Sequence, residues 1–304
     1  MQKKFPKNAR VVFIGDSITA ENLALKWIIN AYKKLDGYGS IRFFNCGVAG
    51  GTAEFANESY DSDIRRYAPT HAVVSFGIND SNRDLLSLER SPERLTALTE
   101  AYERYKKNLT RLVDRLISDG VEVTLATPYP YDEYTESREV SLKGGYALML
   151  GYAEYVRALA KEKKVALYDA HSVISTVMAK ESVISEDRIH PHPHGYYILA
   201  REFLLWQGVD VGAQTELPAS FDRWHSYVAR LRTVLAAECM LIPSNGLGFN
   251  SPTEEKLKVM NNRVVREDYG RPVFERFYRA YVQDKPLERE LYRLIDESYE
   301  EDIV

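Results

Sequence analysis

The chain of 304 residues carries 45% hydrophobic and 28% charged side chains, near globular averages, which excludes disordered, collagen-like and coiled-coil proteins. Its 40 Lys and Arg and 44 Asp and Glu are unevenly spread: residues 208–304 hold 13 basic and 17 acidic side chains, leaving 27 of each in residues 1–207. A neutral front and an acidic tail give no electrostatic footprint for nucleic acid or an anionic membrane.

Met1 to Arg10 is basic and polar and is followed by only four apolar residues, Val11–Ile14. A secretory leader needs roughly 7–15 apolar residues, and a membrane span needs about 20. Neither is present, and two cysteines, Cys46 and Cys239, are too few for a disulfide framework. The expectation is a cytoplasmic protein without a membrane span.

In residues 1–207, short apolar runs alternate with amphipathic stretches. Val11–Ile14, Ile41–Asn45, Ala72–Phe76, Val121–Ala126 and Val165–Tyr168 are β-branched or aromatic and almost continuously apolar. Strands buried on both faces have that pattern. Between them, helical patterns run over Glu21–Leu35, Pro92–Ser118, Gly144–Lys163 and His194–Trp206. Ser91 and Pro92 supply a cap and a first-turn proline. The alternation predicts an α/β fold, a three-layer, doubly wound parallel sheet of five strands. Ligands in such sheets bind beyond the carboxyl ends of the strands, so chemistry is expected in the loops there.

After Gly208 the pattern changes to helical stretches at Phe221–Met240 and Arg271–Tyr299. Phe274, Phe277, Tyr278 and Tyr281 make an aromatic stripe, continued by Leu287, Leu291, Leu294 and Ile295. Residues 208–304 are therefore expected to form a C-terminal helical extension. Its apolar face would pack on the 1–207 domain or on a second subunit in a homo-oligomer, with a lid or partner site as the alternative.

Four strand-end loops carry chemistry-bearing residues. Gly15-Asp16-Ser17-Ile18-Thr19 follows the first strand and sets a serine hydroxyl beside helix-start N–H groups. Alone, this motif also fits a plain helix cap at Ser17 or Thr19. Asn45-Cys46-Gly47-Val48-Ala49-Gly50-Gly51-Thr52 follows the second strand and suits a backbone that turns N–H groups toward an anion. It lacks the lysine of a phosphate loop. Gly77-Ile78-Asn79-Asp80 follows the third strand; the Asn79 amide suits either an oxyanion donor or an Asx-turn. Asp187-Arg188-Ile189-His190-Pro191 places an aspartate three residues before a histidine, where it can orient the imidazole as a general base. His190, His192 and His194 also admit a metal site, although no H-E-x-x-H pattern supports one.

Taken together in chain order, these four loops resemble the SGNH hydrolases, also called GDSL-type lipases and esterases. The resemblance covers about residues 10–207. It implies a flavodoxin-like α/β sheet and an esterase that needs no metal and no cofactor. It makes Ser17, Asp187 and His190 the catalytic triad, with Gly50 and Asn79 joining the Ser17 N–H as oxyanion donors. It says nothing about residues 208–304. The partner expected is a small-molecule ester. Glu21, Asn22, Thr52, Glu54, Asn82, Arg83 and Asp84 near the motifs are polar, which favours a short acyl group on a hydrophilic, carbohydrate-like carrier. Rival readings are a lysophospholipase or thioesterase, a catalytically silent binding module, and a metal-dependent phosphoesterase built on Asp16, Asn79, Asp80 and the histidines.

Overall fold

The computed structural model describes residues 4–21, 23–35, 40–87, 91–134 and 142–209. Most of the 208–304 extension, Cys239 and the expected helices at Phe221–Met240 and Arg271–Tyr299 lie outside the described residues, as does Asn22.

All five expected strands form: β1 (Arg10–Gly15), β2 (Arg42–Gly47), β3 (His71–Ser75), β4 (Glu122–Ala126) and β5 (Ala166–Tyr168). They pair in parallel in the order β2-β1-β3-β4-β5. The chain thus winds outward from β1 in both directions, leaving the gap between the β1 and β3 ends as the switch point. Val11, Val12, Ile14, Ala72, Val74, Val123 and Leu125 are all buried, which explains why these strands read as unbroken apolar runs.

The helices are α1 (Ser17–Ala20), α2 (Leu23–Lys33), α3 (Ala53–Glu58), α4 (Pro92–Ser118), α5 (Gly145–Lys163), α6 (Ala170–Met178) and α7 (Pro193–Trp206). α2 packs on α7, while α3 packs on α4 with α5 beside it, so helical layers cover both faces. α4 begins at Pro92 behind the Ser91 side chain, which accepts from the Arg94 N–H at 3.2 Å. The expected Glu21–Leu35 helix forms as α2, two residues shorter at each end, and the single turn α1 precedes it. The short helices α3 and α6 had no expected counterpart. At six and nine residues they are too brief for a 3.6-residue apolar period to stand out.

Register sets the site. Gly15 of β1 is level with Gly47 of β2 and Ser75 of β3, so the first three motif loops leave the sheet at one edge. Among the described residues no helix is long and apolar enough to cross a membrane.

Candidate active site

Asp16, not Ser17 or Thr19, is the cap of α1. Its carboxylate accepts from the Ile18 N–H at 3.0 Å, and Ser17 takes the first helical position. The turn is seated on Gly47: a Cβ there would lie 2.4 Å from the Ala20 nitrogen, so only glycine lets α1 rest on the end of β2. Asn45 secures the same contact, its Nδ2 donating to the Thr19 carbonyl at 2.8 Å and its Oδ1 accepting from the Gly47 N–H at 2.9 Å. The sequence placed Asn45 at the end of the second strand and the start of the glycine loop, with no sign of this contact.

That loop turns tightly, with the Gly51 N–H donating to the Val48 carbonyl at 2.8 Å and Gly50 in the left-handed region at φ 74°. The N–H groups of Ser17 and Gly50 make no hydrogen bond to the described residues. Among the described residues nothing occupies them. On the facing loop, Asn79 Nδ2 donates to the Gly51 carbonyl at 3.0 Å, which orients the amide and leaves its second N–H. Next to it, Asp80 Oδ1 accepts from the Ala53 N–H at 2.9 Å, pinning the start of α3.

The fourth motif arrives from the loop before α7. Ile184 and Pro191 form an antiparallel bridge, and the Ser185 N–H donates to the His190 carbonyl at 2.7 Å. His190 Nε2 lies 2.7 Å from Ser17 Oγ, across 173 residues of sequence, and its Nδ1 lies 2.5 Å from Asp187 Oδ2. The other carboxyl oxygen, Oδ1, receives the Ile189 and His190 N–H groups at 2.9 Å and lies 3.0 Å from the Ser185 hydroxyl, whose one hydrogen is shared with the His190 carbonyl at 2.6 Å. Burial pushes the Asp187 carboxyl up, but the hydrogen bonds from His190, Ile189 and Ser185 outweigh it and leave the group below its ordinary value. Ser185 carries no sequence signal, because a serine two residues before an aspartate is unremarkable.

The two carboxyls behind the serine behave oppositely. Burial raises Asp16 to about 6 against the opposing Ile18 N–H and the charges of His190 and Arg83. Asp80 is raised to about 7 by burial, with the nearby Asp16 charge adding to it against the Ala53 N–H.

The three histidines of the motif do not converge. His190 faces Ser17 and Asp187, His192 Nε2 contacts the Ser182 carbonyl at 2.7 Å, and His194 Nε2 contacts Glu181 at 3.2 Å. His192 is instead the cap of α7, accepting from the Gly195 N–H at 3.3 Å. No three His, Cys, Asp or Glu side chains among the described residues are grouped to hold a metal ion.

Residues 13–198 match the family model of the GDSL-like lipase/acylhydrolases. The chain belongs to that family. It is a hydrolase of ester bonds. An acetylxylan esterase from Geobacillus stearothermophilus is 25% identical to this acylhydrolase over 218 residues, covering 66% of this chain and 94% of that enzyme. The crystal structure of an acetylxylan esterase from the same organism superposes with a TM-score of 0.57 at 22% identity, over 70% of this chain and all of that one. Catalytic mutants of that enzyme, with alanine replacing a serine, an aspartate or a histidine, superpose equally well. A gut microbial diltiazem-metabolizing enzyme shares the fold at 17% identity, with a TM-score of 0.71 over 99% of this chain and 96% of its own.

Proposed function

We propose that this acylhydrolase is a serine esterase that removes short acyl groups, acetyl first among them, from a hydrophilic, carbohydrate-like alcohol. The observation that carries the reading is the continuous chain from Ser17 Oγ through His190 to Asp187, at 2.7 and 2.5 Å.

In this mechanism His190 Nε2 takes the Ser17 proton as the serine oxygen attacks the ester carbonyl. The carbonyl oxygen becomes an oxyanion, received by the Ser17 and Gly50 N–H groups and the remaining Asn79 N–H. One such side-chain donor is worth about 3–4 kcal/mol in the transition state. Asp187 holds the imidazole so that Nδ1 carries its proton and Nε2 is the base, then stabilises the imidazolium. His190 gives the proton to the leaving alcohol, and water, deprotonated by the same imidazole, releases the acid from the serine. No step calls for a metal or cofactor.

The acetyl preference is supported by the name of the Geobacillus relative and by the polar rim. Glu21, Glu54, Asn82 and Asp84 are exposed around the site loops. The catalytic mutants of the acetylxylan esterase replace residues of the same three types, and its aspartate precedes its histidine by three, as Asp187 precedes His190.

The test is hydrolysis of aryl esters from acetate upward, beside Ser17→Ala. Ser17→Ala is expected to lose at least about 10³-fold in kcat with its melting temperature intact. A rate near the parent's would remove Ser17 from the mechanism. A steep preference for acetate supports the deacetylase reading, while rates rising toward eight carbons would replace it with a lipid or thioester substrate.

A further inference from the structure

The loop after β4, Thr127–Tyr134, held none of the residues that the motifs single out, yet it touches both halves of the site. Tyr131 is 0% exposed, and its hydroxyl donates to the Ile78 carbonyl at 2.8 Å. That carbonyl belongs to the peptide plane whose nitrogen is Asn79's, so holding it fixes the backbone from which the Asn79 amide projects. Ser81, buried in the same loop as Asn79, places its hydroxyl 2.7 Å from the same carbonyl and 3.0 Å from the Tyr131 oxygen.

Two further buried tyrosines grip alternate carbonyls of the same stretch. Tyr105 of α4 donates to Phe76 at 3.0 Å, and Tyr152 of α5 reaches Asp80 at a longer 3.5 Å. Pro128 closes the contact on the other side: a Cβ at Gly77 would stand 3.0 Å from its ring.

The other end of the β4 loop is tied to the acid–base loop. Arg188, one residue from Asp187 and two from His190, is only 8% exposed and sits at φ 69°, where a long side chain needs a compensating contact. It makes a reciprocal pair with Asp132: Arg188 Nη1 donates to the Asp132 carbonyl at 2.9 Å, and the Asp132 N–H donates to the Arg188 carbonyl at 3.0 Å. Asp132 directly follows Tyr131. An unbroken line of contacts therefore runs from His190's loop through Arg188, Asp132, Tyr131 and Ile78 to Asn79.

We propose that Tyr131 is a positioning residue for this esterase, holding the Ile78–Asn79 peptide so that the Asn79 amide stays in register with His190. The proposal rests on the reading of Asn79 as an oxyanion donor. A positioning role of this kind changes the transition state more than the bound ester, so it falls on kcat rather than KM. A misplacement of about 1 Å in such a catalytic arrangement can cost roughly a hundredfold.

The test is a double-mutant cycle between Tyr131→Phe and Asn79→Ala, with kcat and KM for an aryl acetate and the melting temperature of each variant. Tyr131→Phe keeps the ring in its buried slot and removes only the hydroxyl. It is expected to lower kcat roughly tenfold with KM unchanged within about twofold. In the Asn79→Ala background the same change should cost less than about twofold, because the group it positions is gone. An equal loss in both backgrounds, no loss, or a loss confined to KM overturns the proposal and leaves the triad reading standing. An Asn79→Ala variant as active as the parent overturns the oxyanion reading itself. Should Tyr131→Phe not fold, Ser81→Ala, which removes the other hydroxyl on the Ile78 carbonyl and the Tyr131 oxygen's neighbour, enters the same cycle with the same expected coupling.

Discussion

Asp187 spends one carboxyl oxygen on three donors, the Ile189 and His190 N–H groups and the Ser185 hydroxyl, and presents the other to His190 Nδ1. That division gives two predictions of very different size. Asp187→Asn can turn an amide N–H toward Nδ1, which reverses the tautomer and leaves Nε2 unable to take the Ser17 proton. A loss in kcat of about four orders of magnitude is expected, with little change in KM. Ser185→Ala removes a hydroxyl shared between the His190 carbonyl and a carboxylate whose side chain is 43% exposed and which keeps two backbone donors. Backbone N–H groups and water make good most of that bond, so kcat should fall only about two- to fivefold. Steady-state kinetics on one aryl ester separates the two cases; comparable losses would mean that Ser185 does more than orient Asp187.

At the level of elements, the site depends on how closely α1 lies on β2. Gly47→Ala would place a methyl 2.4 Å from the Ala20 nitrogen and 2.7 Å from the Thr19 carbonyl carbon, both backbone atoms that cannot step aside singly. The helix turn bearing Ser17 has to lift. The expected outcome is a destabilisation of about 1–3 kcal/mol together with a large fall in kcat, read from denaturant melts and turnover on the same preparation. Full activity in this variant would show that the seat of α1 is not needed to place Ser17. The strands that bring these loops together were legible because burial on both faces leaves a signal within four to six consecutive residues. The candidate residues Ser17, Asn79, Asp187 and His190 could be picked out because their chemistry is local and ordered along the chain. The capping role of Asp16 was not, since the start of α1 differs from the expected helix by a few residues and several side chains there can cap. Tyr131 and Arg188 were invisible for a further reason. Their partners, Ile78 and Asp132, lie more than fifty residues away, and a buried tyrosine looks in sequence like any other core residue.

For the molecule as a whole, the carboxyls divide the pH axis. Asp16 and Asp80 are 5% and 9% exposed, and burial raises them from the ordinary carboxylate value of 3.8 to about 6 and about 7. The native state therefore favours their protonated forms more than the unfolded chain does. The stability this confers is complete below the unfolded value and is lost as pH rises through about 6 and then about 7. Asp169 and Asp187 act in the opposite sense. Burial pushes both up, but the Arg157 bond to Asp169 and the His190 bond to Asp187 carry them below the ordinary value. Their contribution is present above that value and disappears on acidification. The two sets place the greatest stability near the ordinary carboxylate value of 3.8, with a decline from there to about 7 and no further loss from these groups above it. Asp80→Asn isolates the alkaline side. An amide oxygen still accepts from the Ala53 N–H, while the ionisation that the native state resists is gone; the amide nitrogen takes the place of Oδ2, which has no partner among the described residues, and its cost is the same at every pH. Thermal melts from pH 4 to pH 9 should show the parent losing stability as pH rises from the ordinary carboxylate value of 3.8 to about 7, and Asp80→Asn losing distinctly less over the same interval. Parallel curves for the two proteins would mean that Asp80 stays ionised throughout, and that the charge buried beside the glycine loop is held by the α3 N–H contact alone.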